Sequence, residues 1–478
     1  MLLTKRLSIS LLIFVSAYAQ QLQAEKTSTG SLQSLKNTPK VGELLPLLVR
    51  HAIARDEWIK SSQYVATSLQ EEALASSQLP DPKFSLGLAN MPLNSLDFNQ
   101  EAMTQLKFSV SQMLPRGDTL RLKKQSWMQK SQLTQMKQFE RAAQIERDVS
   151  LLWLETYEAQ QSIALIETNR GLFEQLLEVS QASYSSALGR TRQGDIIKAE
   201  LELIRLEDRL MGLALKKQAK YAALGHWVSD LEPWRTPKKL PEIALKQAQY
   251  FSYPDHEANE SNVMKHASGN NSAWSDQVIA KQLMAHPSIK WIAEKARLAQ
   301  TATSLAKQAY QAQWGLNASY GYRDDADNGM ARSDFLSLGV TLDMPIFSQR
   351  AQNSQLKAKQ LQGLSIQFEQ SLKLKQMLAK YRVIQEKVTK LKQRKNLYQT
   401  SLMPQLKQQE SVFLAAYNSN DGPFSDVIKA RIESLNAQVE VLSIEVALQK
   451  QKTEFNYLLT RVDDFELAEN LAAYLPIY

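Results

Sequence analysis

Few residues in this chain are spaced for covalent chemistry. His256-Glu257-Ala258-Asn259-Glu260 begins like the helix of a zinc protease, in which two histidines four apart share one face and the glutamate between them serves as base. The second histidine is missing, and Pro254 sets the segment in a polar stretch. Cysteine is absent from all 478 residues, which removes thiolate metal sites, cysteine nucleophiles and disulfides together. His226, His256 and His266 could loosely hold a metal ion, but solvated loop histidines are the common case. Met91, Met103 and Met330 are soft potential ligands at expected loops, where packing or lipid contact is the ordinary role. No Gly-rich phosphate loop or Ser/His/Asp arrangement stands out. The expectation is a protein that is not an enzyme and carries no cofactor or resident metal.

What remains is non-covalent. Asp195 and Asp426 each follow a tight, polar turn and precede an apolar heptad, in the manner of a helix N-cap. The turns are Leu188-Gly189-Arg190-Thr191-Arg192-Gln193-Gly194-Asp195 and Tyr417-Asn418-Ser419-Asn420-Asp421-Gly422-Pro423-Phe424-Ser425-Asp426. After the first, Ile196, Ala199, Leu203, Leu206, Leu210 and Leu213 alternate steps of three and four; after the second, Val427, Ala430, Ser434, Ala437, Val441 and Ile444 do the same. That is coiled-coil packing, with small residues where helices approach closely.

Long helices must carry these turns. No proline occurs between Pro115 and Pro233, and between Pro345 and Pro404 Gly363 is the lone glycine. A helix over residues 118–187 would extend roughly 100 Å at 1.5 Å per residue.

Above the helices lie two pairs of strands, expected at about 83–90, 104–113, 314–323 and 335–343. Phe84, Leu86 and Leu88 alternate with Ser85, Gly87 and Ala89; Leu106, Phe108 and Val110 with Lys107, Ser109 and Ser111. In the second pair Trp314, Leu316, Ala318, Tyr320 and Tyr322 alternate with Gly315, Asn317, Ser319 and Gly321, and Leu336, Leu338, Val340 and Leu342 with Ser337, Gly339 and Thr341. Period two marks strands, and about nine or ten residues suffice to cross the hydrocarbon at a tilt.

The start of the chain points to export. Lys5 and Arg6 precede an apolar run from Leu7 to Ala19, with small residues that allow cleavage before Gln20 or Glu25. No later segment approaches 18 consecutive apolar residues, so any bilayer crossing is by strands. Four strands cannot close a barrel, and unpaired backbone groups at open edges cost several kcal/mol each in lipid. Copies must share one barrel: two would give a filled eight-stranded one, three a twelve-stranded one with a water-filled lumen. Small polar-face residues such as Ser85, Gly87, Ser319 and Gly339 favour the trimer. The formal net charge of +8 includes Lys5 and Arg6 of the leader. Nine basic residues between Lys373 and Lys395 face only Glu386; on an exported chain this reads as a solvated helix face, not a nucleic-acid site.

The chain also repeats itself. Met113-Leu114-Pro115 is answered by Asp343-Met344-Pro345, 230 residues on, and Asp195-Ile196-Ile197-Lys198-Ala199 by Asp426-Val427-Ile428-Lys429-Ala430, 231 residues on. The organisation expected is a leader (1–24), an N-terminal tail (25–42), a first repeat (43–225), a polar equatorial connector rich in proline (226–275), a second repeat (276–459) and a C-terminal tail (460–478).

In this order and duplication, with Gln78-Leu79-Pro80-Asp81-Pro82 before the first strand and Ser111-Gln112-Met113-Leu114-Pro115 closing the second, the chain resembles TolC-type outer-membrane factors over about residues 43–459. The resemblance implies a mainly α fold with membrane β: a trimeric twelve-stranded outer-membrane barrel, four strands per chain, continued by a coiled-coil periplasmic tunnel. It implies a homotrimer that docks on a periplasmic adaptor and an inner-membrane pump of the RND type. Gly87-Leu88-Ala89-Asn90-Met91-Pro92 after the Leu-Pro-Asp-Pro approach is similar to the heavy-metal branch, which serves copper, silver or cobalt, zinc and cadmium pumps. The same resemblance places gate and adaptor contacts at the hairpin tips: Arg190, Arg192, Asp195, Tyr417, Asp421 and Asp426. Gly422 stands where a gate arginine is expected and Lys429 where a second aspartate ring would lie. Many members of the metal branch carry a cysteine for lipid attachment after the leader; with none here, the barrel alone would hold the protein in the membrane. Two other readings stay open, a channel of this family for drugs or secreted proteins and a soluble periplasmic coiled-coil adaptor or scaffold.

Overall fold

The structure is a computed structural model that describes residues 44–185, 192–228, 276–326, 329–419 and 421–462. The expected leader and N-terminal tail, Arg190, most of the connector with His256 and His266, and residues 463–478 lie outside the described residues.

Helices α1 (Leu44–Arg55) and α2 (Glu57–Ala75) lead into strands β1 (Lys83–Ala89) and β2 (Gln105–Leu114), followed by α3 (Thr119–Ser185) and α4 (Gln193–Val228). In the second half, α5 (Asp276–Leu283) and α6 (Pro287–Lys307) precede β3 (Gln313–Tyr322) and β4 (Phe335–Asp343). Then come α7 (Gln349–Leu397), α8 (Met403–Asn418) and α9 (Phe424–Leu459). The strands begin and end within one residue of the positions that the alternation gives. The 67 residues of α3 make a rod of roughly 100 Å. Pro404 does not end the helix that begins at Gln349. It lacks the N–H for an α-type bond, and the backbone widens into a π-turn at Tyr398–Leu402, where Met403 N–H reaches back to the Tyr398 carbonyl.

The four strands pair antiparallel in the order β1-β2-β3-β4. Below them the helices repeat that order: α2 packs on α3, α3 on α6 and α6 on α7. Gly117, at a φ of 44°, makes the turn from β2 into α3; a Cβ there would run into the Gln308 side-chain amide. Further down, α3 packs on α4 and α9, and α9 on α7 and α8. The heptad positions supply this packing: Ala199, Leu206, Val427, Ala430, Ser434, Ala437 and Ile444 are buried. The basic run of α7 is not simply solvated. Lys380, Arg394 and Lys395 pair with Glu454, Glu440 and Glu445 of α9 at 2.7, 2.8 and 2.9 Å, because α9 presents its acids at the facing turns.

Midway along the rod one helix hands over to another. Asp56 caps α2 by accepting the Ile59 N–H at 2.9 Å, and it pairs with Arg141 of α3 at 2.8 Å. The Arg141 guanidinium also lies 5.4 Å over the ring of Trp227, near the end of α4. At the second joint His286, the N-cap of α6, meets Tyr457 near the end of α9. The core of this region packs α1 onto α3, with Leu48 and Ala52 against Ala142, Ile145, Val149 and Trp153.

Candidate functional site

The strand register sorts the sheet into two unlike faces. On one, Phe84, Val110, Ala318 and Leu338 form a row across all four strands, and Leu86, Phe108, Tyr320 and Leu336 form the next. Among the described residues nothing covers this face: Phe84 is 76% exposed, Leu336 73% and Leu338 78%. Such a contiguous apolar surface is foreign to a water-soluble monomer. On the other face Ser85, Ser109, Ser319 and Ser337 form a row of four hydroxyls, flanked by Lys107, Ser111 and Asn317. Gly339 keeps this face low, because a Cβ there would sit 2.6 Å from Asn317 Oδ1. Among the described residues strands β1 and β4 pair on one side only, so both outer edges are open.

Two arginines tie together the loops at the far end of the sheet. Arg332 donates to the carbonyls of Asn99 and Glu101 at 3.2 and 3.3 Å, and Arg323 to that of Ala102 at 3.0 Å while stacking 3.8 Å over Phe335. Phe98 stacks on Tyr322. Met103 and Met330 are exposed in these loops, and Met91 is half-buried. At the opposite end of the strands Arg116 pairs with Asp343 at 2.6 Å and donates to the carbonyls of Ala309 and Gln311. It thereby fastens the sheet to both helical halves.

The helices that flank the two turns pack against one another. Leu206 and Ala199 of α4 share a buried cluster with Phe424, Ile428 and Leu435 of α9 and Ile166 and Phe173 of α3. The turn after α8 is closed by the Asp421 N–H donating to the Ala416 carbonyl at 2.8 Å and by Ser419 Oγ donating to Ala415 at 3.0 Å. Gly422 packs over Ala416, whose Cβ would lie 3.1 Å from a Cβ on residue 422, so a side chain there would require the turn to shift by a few tenths of an ångström. Tyr417 is half-buried against the Phe424 ring, 5.4 Å between centroids. Asp421 and Arg192 are exposed.

Neither aspartate is an N-cap. Pro423 holds the cap position of α9, and both Asp195 and Asp426 sit within the first helical turn. Their N–H groups donate to the carbonyls of Arg192 and Pro423 at 2.9 and 3.2 Å. There a carboxylate interacts favourably with the positive end of the helix dipole, typically by 0.3–1 kcal/mol. Asp195 is buried, with Lys198 Nζ 3.9 Å from its Oδ1.

Between tips and joint, a charge node ties three helices. Glu155 and Glu158 of α3 meet Lys220 of α4 at 2.7 Å and Lys450 of α9 at 3.0 Å. Burial pushes the Glu155 carboxyl upward, but Lys220 and Lys450 outweigh it and hold it below the usual range. Sequence patterning gave no sign of this node or of the His286 joint, since both join residues far apart in the chain. Among the described residues no cluster of His, Asp and Glu could hold a metal ion, and His226 is an exposed neighbour of Trp227. No helix among them is long and apolar enough to cross a membrane.

No family model and no curated protein matches the chain. Solved structures do. CusC superposes with a TM-score of 0.67 at 12% identity, covering 87% of this chain and 92% of its own. The outer membrane protein VceC of Vibrio cholerae gives 0.66 at 14% identity, with 87% and 96% covered, and the Campylobacter jejuni CmeC outer membrane channel 0.67 at 12%, with 91% and 90% covered. The chain has the fold of these outer-membrane channels, a four-stranded antiparallel sheet carried on long helices.

Proposed function

We propose that three copies of this chain form an outer-membrane exit duct, the channel component of a tripartite efflux system. The carrying observation is the sheet: four strands with an uncovered apolar face, a serine-lined face and two open edges. In lipid the edges require partners, and copies of the same sheet supply them. Three copies close a twelve-stranded barrel with the serine rows lining a wet lumen. The exposed apolar face disfavours the soluble scaffold reading.

On this reading the two halves are tandem repeats, and the helices continue the pore through the periplasm. The tips bearing Arg190, Arg192, Asp195, Tyr417, Asp421 and Asp426 form the gate and meet a periplasmic adaptor, while an inner-membrane pump of the RND type supplies the energy. Solute passes without covalent change. The segment Leu79-Pro80-Asp81-Pro82 with Gly87-Leu88-Ala89-Asn90-Met91-Pro92 supports heavy-metal cations such as copper or silver as the cargo.

Two measurements test this. The protein should remain in the outer membrane after high-salt and carbonate washing, and its release would end the channel reading. A strain lacking the gene should become sensitive to copper or silver; unchanged metal tolerance beside lost tolerance of drugs or detergents would move the cargo to organic solutes.

A further inference from the structure

A recess of about 530 Å³ opens at the mid-rod joint, where α2, α3, α6 and α7 meet. On α3 it is lined by Lys137, Glu140 and Gln144, roughly half a turn from the Ala142, Ile145 and Val149 face that α1 covers. It therefore opens on the side of the helical layer away from α1. Trp58 of α2 and Trp291 of α6 supply indole walls, and Leu372 of α7 adds apolar surface.

Its polar groups are unevenly satisfied. Arg141 spends its charge on Asp56 at 2.8 Å, and Lys295, beside the recess, pairs with Glu369 at 2.7 Å. Among the described residues, Lys137 and Lys373 meet no carboxylate at ion-pair distance; Lys137 lies instead 5.1 Å over the Trp291 ring. The Trp291 Nε1–H is buried without an acceptor. Glu140 accepts from the Tyr457 hydroxyl at 2.9 Å and from Gln144 at 3.1 Å through Oε1, while its Oε2 is buried without a donor. Buried polar atoms are rarely left this way, and the volume is ordinary for a small-molecule site.

We infer that the recess binds small aromatic carboxylates, best those that also carry a hydroxyl. The indole walls take the ring, and the two free ammonium groups and the Trp291 N–H take the carboxylate through charge-assisted hydrogen bonds. A ligand hydroxyl donates to Glu140 Oε2. An inorganic anion would leave the indoles without a role. An organic cation would add charge beside two unpaired ammonium groups.

The test is calorimetric titration of the full chain, purified in detergent, with hydroxynaphthoate. The expected result is saturable binding of one molecule per chain, weakened about tenfold or more by Lys137→Gln and by Lys373→Gln. Trp291→Phe, which keeps a ring and deletes the donor, should also weaken it, and unchanged thermal unfolding of each variant would show that the fold persists. Naphthylmethylamine, the same ring with a cationic head, should not bind. Absence of saturable heat at millimolar ligand, equal affinity for the amine, or insensitivity to all three substitutions would overturn the inference. None of these readouts depends on membrane insertion or on which solute the duct exports.

Discussion

His286 and Tyr457, 171 residues apart in the chain, meet where α9 ends and α6 begins: the imidazole Nε2 lies 3.0 Å from the Tyr457 carbonyl oxygen. The ring stands edge-on to the phenol, with centroids 5.1 Å apart. Because Nδ1 accepts the Ser288 N–H at 3.1 Å, the ring proton is on Nε2 and donates to that carbonyl. One neutral side chain thus caps one helix and satisfies the end of another. Burial pushes its pKa down to about 4; the hydrogen bond to Tyr457 opposes this, and Lys373 and Lys380 reinforce it. The carboxylate of Glu140 lies 3.9 Å from Nδ1.

Acid should loosen this joint. The unfolded imidazole takes a proton near pH 6.5 and the folded one only at about 4, so between these values the unfolded chain holds the extra proton. The contribution is complete above pH 6.5 and falls away as pH drops toward 4, by on the order of 3 kcal/mol. Chemical unfolding followed by helical circular dichroism across this range should show a shallower pH slope in His286→Asn than in the parent. Equal slopes would mean that His286 does not carry the effect.

Arg116 should matter more than its ion-pair partner. Its bond to Asp343 is part of a clamp that also satisfies the Ala309 and Gln311 carbonyls, whereas Asp343 is 53% exposed. Arg116→Ala should cost about 1–3 kcal/mol of stability and Asp343→Asn under about 1 kcal/mol, in thermal unfolding of the detergent-solubilised protein. A larger loss from Asp343→Asn would contradict the clamp.

At the tips, Asp195→Ala and Asp426→Ala should alter conduction more than stability. As first-turn residues they contribute only about 0.3–1 kcal/mol through the helix dipole. On the proposed threefold arrangement three copies of Asp426 ring the entrance, attract cations and repel one another. Single-channel recordings in planar bilayers should show weaker block by divalent cations in Asp426→Ala. Conductance and block identical to the parent in both variants would reduce these aspartates to helix partners.

Strands and helices were legible because their signals are local. Phe84-Ser85-Leu86-Gly87-Leu88 states its period in five residues, and the Ile196 to Leu213 seam states its own in eighteen. Cap positions were not, since Asp195 and Asp426 sit only two residues inside helices whose first residues, Gln193 and Phe424, gave no distinct start signal. The π-turn ahead of Pro404 was equally hidden: proline shows where an N–H is missing, not whether the chain breaks or widens. The basic run of α7 looked solvated because Glu440, Glu445 and Glu454 lie on another helix, and His286 looked ordinary because Tyr457 arrives only in three dimensions.

The shared-barrel claim is tested most directly by cross-linking the two open edges, in a chain with no native thiol to confuse the result. Ser85→Cys on β1 would be combined with Ser337→Cys, Gly339→Cys or Thr341→Cys on β4, all on the serine-lined face. Within one chain β2 and β3 stand between these strands, a gap of roughly 14 Å that no disulfide spans. In native outer membranes, one such pair should give covalent dimers and trimers and nothing larger under mild oxidation. Monomers alone for every pair, with the thiols still free to label, would contradict a barrel closed by neighbouring copies.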